Sequence, residues 1–139
     1  MSIGSFHRLV LILAMAFVAS ACATKPLVLT VRQVSERKTS LEGRVVTVEG
    51  VLHFSPNSRN LWQSAAAHEA FDDTSTESDA SCIAVFAALP LTYRLSKYDR
   101  RNVRLTGRLL HIPLKEDEIS LWECSRWGLS VQRVTALPR

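Results

Sequence analysis

Leu41-Glu42-Gly43-Arg44-Val45-Val46-Thr47-Val48-Glu49-Gly50-Val51-Leu52 is the stretch on which the reading of the fold turns. Ser40 to Gly43 marks a turn. From Arg44 to Phe54 the β-branched Val46, Val48 and Val51 favour a strand. Gly50 interrupts the run, and a glycine inside a strand pattern predicts a bulge or a sharp coil. The pattern V-x-[VL]-x-G-x-L occurs twice, as Val46-x-Val48-x-Gly50-x-Leu52 and as Val103-x-Leu105-x-Gly107-x-Leu109. The copies lie too far apart for a repeat array. They predict two strands that each bend at a glycine.

The flanking segments supply the other elements. Before the central stretch, residues 23 to 29 read as a tether that becomes extended. Thr30 to Lys38 reads as two helical turns with Thr30 as N-cap and Val31 and Val34 on one face. After it, Pro56-Asn57-Ser58 makes a turn, and Asn60 to Ala67 is a second strand whose Ala65-Ala66-Ala67 end equally starts a helix. Asp72 to Ser81 is a polar, acidic loop. Cys82 to Ala87 is a short apolar run, hence a buried strand. Leu91, Leu95 and Tyr98 fall at i, i+4 and i+7, a short amphipathic helix opened by Pro90. Val103 to Ile112 is the fourth strand, Glu118 to Cys124 a strand end or hairpin arm, and Gly128 to Leu137 the last strand.

This order resembles an OB-fold, a five-stranded, partly open Greek-key barrel with a short helix between strands three and four. Residues 31–52 and 103–110 are similar to small exported bacterial OB-fold proteins whose first strand carries L-x-G-x-x-V-x-V-x-G-x-L. Here Leu41, Gly43, Val46, Val48, Gly50 and Leu52 fill that pattern. The resemblance implies a mainly β domain over residues 30–139 with a kinked first strand shared between two sheets. It also implies that strands three and five run parallel side by side, which would bring Cys82 near Cys124. These motifs form a fold and carry no function with them.

The first 22 residues read as an address. Arg8 gives a basic head without acids, and Leu9 to Val18 is an unbroken apolar run of ten residues. That is about half of what a helix needs to span a bilayer, so residues 1–21 read as a removable signal peptide. Ala19-x-Ala21 suits the general signal peptidase. Ala19-Ser20-Ala21-Cys22 also resembles the bacterial lipobox, although Ala19 stands where leucine is usual. That resemblance implies diacylation of Cys22, a lipidated tether over residues 22–29 and a bilayer as partner. Ala23, not being aspartate, implies sorting to the outer membrane, facing the periplasm. Without lipidation the same leader implies a secreted or periplasmic protein.

Removal of 21 of the 139 residues leaves 118, enough for one domain that buries about 65% of its unfolded-chain surface. The formal charge is +4 for the whole chain and +3 once Arg8 is lost with the leader. So modest an excess demands no polyanion, and a nucleic-acid partner is not expected outside the cytoplasm. With Cys22 assigned to lipid, Cys82 and Cys124 remain as an even pair in an oxidising compartment. They form either a disulfide or two buried thiols, and the absence of C-x-x-C spacing argues against a metal site.

Candidate chemistry is sparse. His53, His68 and His111 have no partner at ligand spacing, though His53 and His111 both end glycine-kinked strands and would face each other across one barrel rim. Asp73, Ser75, Glu77 and Asp79 alternate like calcium ligands but lack the central glycine and terminal glutamate of a calcium loop. No nucleophile elbow, H-E-x-x-H or phosphate-binding glycine loop is present. The expectation is therefore a non-catalytic binding domain without cofactor or metal. Arg94, Lys97, Arg100, Arg101, Arg104 and Arg108 form a basic cluster, and Trp62, Trp122 and Trp127 are available aromatics. OB surfaces combine such groups to bind single strands or glycans. Trp62, Arg94, Lys97, Arg101 and Arg104 are the expected ligand contacts, on the concave face of the first three strands. The expected partner is an envelope protein, glycan or anionic lipid. The alternative is an accessory subunit of an envelope assembly that takes no small ligand.

Overall fold

The computed structural model describes residues 27–74, 81–113 and 124–138. The leader, Cys22, Trp122 and most of the acidic loop and hairpin arm lie outside these residues. Along the chain come β1 (Val28–Thr30), α1 (Val31–Leu41), β2 (Val45–Ser55), β3 (Ser58–Trp62), α2 (Ala65–Thr74), β4 (Cys82–Phe86), α3 (Leu89–Ser96), β5 (Arg101–His111) and β6 (Trp127–Ala136).

Strands β2-β3-β4-β6-β5 follow one another around the sheet, and a β2–β5 pairing closes it into a five-stranded mixed barrel. β4 and β6 run parallel; the other barrel pairs are antiparallel. This is an OB-like barrel with the strand order expected from the sequence. Closure is possible because β2 serves two neighbours. Its residues Val45–Leu52 pair with β5, and Val51–Ser55 pair with β3. The change of partner falls at Gly50, where an added Cβ would sit 2.5 Å from the Trp62 carbonyl oxygen. Only a residue without a side chain lets β3 come so close. Gly107 plays the same part in β5: the β5–β6 register shifts between Thr106 and Gly107, and an added Cβ would overlap the Ser130 carbonyl.

Alternation along the strands fills the interior. Val46, Val48, Leu52 and Phe54 of β2 meet Leu61, Ile83, Val85, Val103, Leu105, Leu109 and Leu129, all buried. Val31, Val34 and Leu41 of α1 and Leu95 of α3 join the same core, with Leu91 and Tyr98 packed against it.

Among the described residues three helices flank the barrel: α3 between strands three and four as expected, α1 where Thr30 to Lys38 read as helix, and α2. α1 runs on through Leu41, because that side chain is buried and holds the last turn. Its start is doubly capped. Thr30 Oγ1 accepts from the Gln33 backbone N–H at 3.2 Å, and Gln33 Oε1 accepts from the Thr30 N–H at 2.9 Å. Gln63 Oε1 accepts from the next donor, the Arg32 N–H, at 2.8 Å. Thr30→Ala is expected to cost about 1 kcal/mol, read as a lower urea midpoint with an unchanged slope. The second strand stops at Trp62, and the alanine run goes into α2. Ser64 Oγ accepts from the Ala67 N–H at 3.1 Å and starts that helix. Upstream, Val28–Thr30 is more than tether. It pairs in parallel with Thr47–Glu49 along the β2 edge.

Candidate functional site

Beyond Gly50 the β2 alternation sends Leu52 and Phe54 inward and leaves Val51 and His53 on the outer face. α2 lies over that side of the sheet and presents Ala67, His68 and Phe71 on one face, the i, i+1, i+4 arrangement of a helical stripe. His68 stacks on His53, with ring centroids 3.6 Å apart and planes 18° from parallel. Beside the stack opens a cleft of about 280 Å³, lined by Val51, His53, Ala65, His68, Glu69 and Arg100.

Arg100 is placed by the turn between α3 and β5. Its backbone has φ +57°, the single positive value among the described non-glycine residues, and its N–H donates to the Leu52 carbonyl at 2.7 Å. The preceding Asp99 accepts from the Phe54 N–H at 2.8 Å. One backbone acceptor and one backbone donor of β2 thus clamp the turn. A left-handed conformation costs a side-chain-bearing residue about 1–2 kcal/mol, and the clamp offsets it. The Arg100 side chain is 80% exposed, so the guanidinium reaches the cleft mouth while solvated. Its 4.0 Å approach to the Asp99 carboxylate contributes little at that exposure.

Trp62 is not a surface platform. It is 1% exposed and sits at the centre of a second core with Cys82 and Cys124, packed by Ala67 and Phe71. Its ring meets His68 edge-on at 5.1 Å and Phe71 at 5.1 Å, and its buried indole N–H has no hydrogen-bond partner among the described residues. The reason is tertiary. Trp62 and Cys82 are cross-strand neighbours on the outer face of β3 and β4, and that face is covered by α2 and by the Cys124 segment. The Cys82–Cys124 disulfide, with Cα atoms 6.1 Å apart, fastens the segment down. Cys124 N–H further donates to Asn60 Oδ1 at 3.1 Å. The concave face expected to bind ligand is therefore partly filled by the chain itself, and among the described residues the cleft at the α2 margin stays open.

The basic cluster is divided. Arg104 is half-buried on the outer face of β5, where its Nε donates to Glu49 Oε1 at 2.8 Å, so its charge is already matched across the strands. Arg108 donates to the Gly43 carbonyl. Lys97 lies over Tyr93 at 4.6 Å and Arg101 beside Tyr98 at 5.8 Å. Arg94 is exposed in the last turn of α3. Among these, Arg100 alone lines the cleft. His111 does not face His53; it packs at 5.0 Å against half-buried Trp127. The partner His53 does have, His68, was foreshadowed by Ser64 followed by three alanines, a helix start that sets His68 one turn further along. Among the described residues no group of three or more His, Cys, Asp or Glu is arranged to hold a metal ion; the Asp73–Asp79 alternation lies largely outside those residues.

Fold and cleft together define a small OB-like mixed β-barrel with a polar lateral cleft. No protein-family model matches the chain, and a search of curated proteins finds no match.

Proposed function

We propose that this protein is a non-catalytic binding module of the bacterial cell envelope, exported on residues 1–21 and held at a membrane by acyl chains on Cys22. The carrying observation is the cleft, where a guanidinium, two imidazoles and a carboxylate line a space of about 280 Å³. Arg100 suits an acidic group, the imidazole edges suit hydroxyls, and Glu69 suits an amine or a further hydroxyl. A sugar-sized unit of an envelope glycan or peptide, carrying a carboxylate, matches that set. The Cys82–Cys124 disulfide suits an oxidising compartment.

The test pairs binding with stability in Arg100→Gly. Titration of soluble, carboxylate-bearing envelope glycan fragments is expected to give saturable NMR shifts at His53, His68 and Glu69. The variant is expected to bind at least about tenfold more weakly, the size of a lost charge-assisted hydrogen bond. It should also unfold later, by about 0.5–1 kcal/mol, because glycine adopts the positive φ without strain. Saturable binding that Arg100→Gly leaves unchanged removes the cleft from this role.

A second reading, an accessory subunit of an envelope assembly, draws on α3. Leu89 and Tyr93 stand one turn apart there, 85% and 68% exposed, beside Arg94 and Lys97. Co-purification of a defined complex that a Tyr93→Glu substitution dissolves would favour it over the cleft.

A further inference from the structure

The outer face of β1, the first half of β2 and the facing end of β5 carries a cluster of exposed apolar side chains. Val28 is 45% exposed, Val45 44% and Leu110 38%, while Leu27, one residue before Val28, alternates to the other face. The register brings Val28, Val45 and Leu110 together. Val28 lies beside Thr47, two residues from Val45, and Val45 lies opposite Arg108, two residues from Leu110. Thr47 and Thr106 join their hydroxyls at 2.9 Å between them, so the patch has no unsatisfied threonine at its centre. Arg44 and Arg108 are exposed at its border.

We infer that this face is a lipid-surface contact that lays the barrel against the bilayer holding Cys22. The inference rests on the anchored reading above. Two observations commit it to a membrane rather than to a protein partner. First, Cys22 stands five residues before Leu27, and a fully extended chain covers at most ~3.6 Å per residue. An acylated Cys22 therefore keeps Leu27 within ~18 Å of the glycerol level, so β1 is the element that the tether holds most closely to the lipid. Second, the chemistry is that of an interfacial surface: aliphatic side chains at the centre, guanidinium groups at the border. Aliphatic groups enter the headgroup boundary, and each arginine near an anionic leaflet adds attraction. Docking in this pose has a consequence for the cleft. His53 lies six residues beyond Thr47 on β2, about 20 Å farther along the strand and past the coil at Gly50. The cleft thereby lies outside the docking face.

The experiment begins with the intact mass of the mature protein purified from bacteria expressing the full chain. The acylated protein is then placed in nanodiscs of phosphatidylethanolamine and phosphatidylglycerol that include a headgroup-spin-labelled lipid. Methyl NMR of leucine and valine reports which side chains meet the label. The expected result is severalfold stronger broadening at Val28, Val45 and Leu110 than at Val51 beside the cleft, and loss of that contrast in Val45→Glu. Val45 is exposed, so that variant keeps the fold, and its unchanged core methyl shifts verify this. Acylated protein with uniform broadening, or broadening centred on α3, overturns the docking face while leaving the anchor intact. A mature mass without acyl chains overturns the anchor, and the docking face with it.

Discussion

Replacing Cys82 and Cys124 by alanine is expected to lower the unfolding free energy by about 4 kcal/mol. The bond closes a loop with a sequence separation of 42, and the chain-entropy model assigns ~4 kcal/mol to a loop of that size. Small domains are stable by about 5–15 kcal/mol in total, so this one bond is a large share. The loss also has a place. Both sulfurs are buried against Trp62, and the partners of Trp62 on its far side are Ala67 and Phe71 of α2. Once the Cys124 segment lifts, water reaches the indole and α2 loses its footing. Amide exchange in α2 should then accelerate more than exchange in β5, and the His53–His68 stack should loosen with it. The check is urea unfolding with and without reductant, followed by hydrogen exchange resolved to α2 and β5. Equal midpoints in the two conditions would show that the bond constrains nothing the fold does not already hold.

Gly107→Ala is expected to cost about 3 kcal/mol, at the upper end of what overpacking does in a filled interior. The added Cβ would overlap the Ser130 carbonyl, and the neighbouring Val131 backbone leaves no room to yield. The two strands must separate where the register shifts, and the β5–β6 seam is the longest in the barrel, running from Val103–Ala136 to His111–Trp127. Arg108→Ala is the control. It removes an exposed side chain one residue away and should change stability by no more than about 0.5 kcal/mol. Similar midpoints for Gly107→Ala and the control would mean that β6 has slack at this point, and that the glycine is not required for closure.

Both predictions concern features that differ in how far they could be read in advance. The glycine-bent strands were legible because a bend leaves a local trace: β-branched residues on both sides of a residue that has no side chain. Val46 to Leu52 and Val103 to Leu109 show that trace, and both became barrel strands with a close backbone approach at the glycine. The Thr30 cap and the amphipathic spacing of Leu91, Leu95 and Tyr98 were legible for the same reason, since caps and helical stripes are set within one or two turns of chain. The edge strand Val28–Thr30 was not. Three residues carry no period, and their strand character comes from Thr47–Glu49, a segment 19 residues away.

The site followed the same division. His53, His68, Glu69 and Arg100 are spread over β2, α2 and the turn before β5, and no spacing links them. Trp62 looked like an exposed aromatic because its strand has one outward face, and only the pairing of β3 with β4 reveals what lies on that face.

By itself the chain order of apolar runs, glycines and caps determined that a mainly β domain would form and where its two main strands would bend. Local sterics and alternation act over neighbours, so they are written in neighbours. The tertiary structure decided which outer surface remained open. Covering Trp62 with α2 and a disulfide-held segment depends on contacts between residues some 60 positions apart, such as Asn60 and Cys124. Burial of that kind is a property of the closed barrel, and among the described residues it left the cleft between Arg100 and the paired imidazoles open.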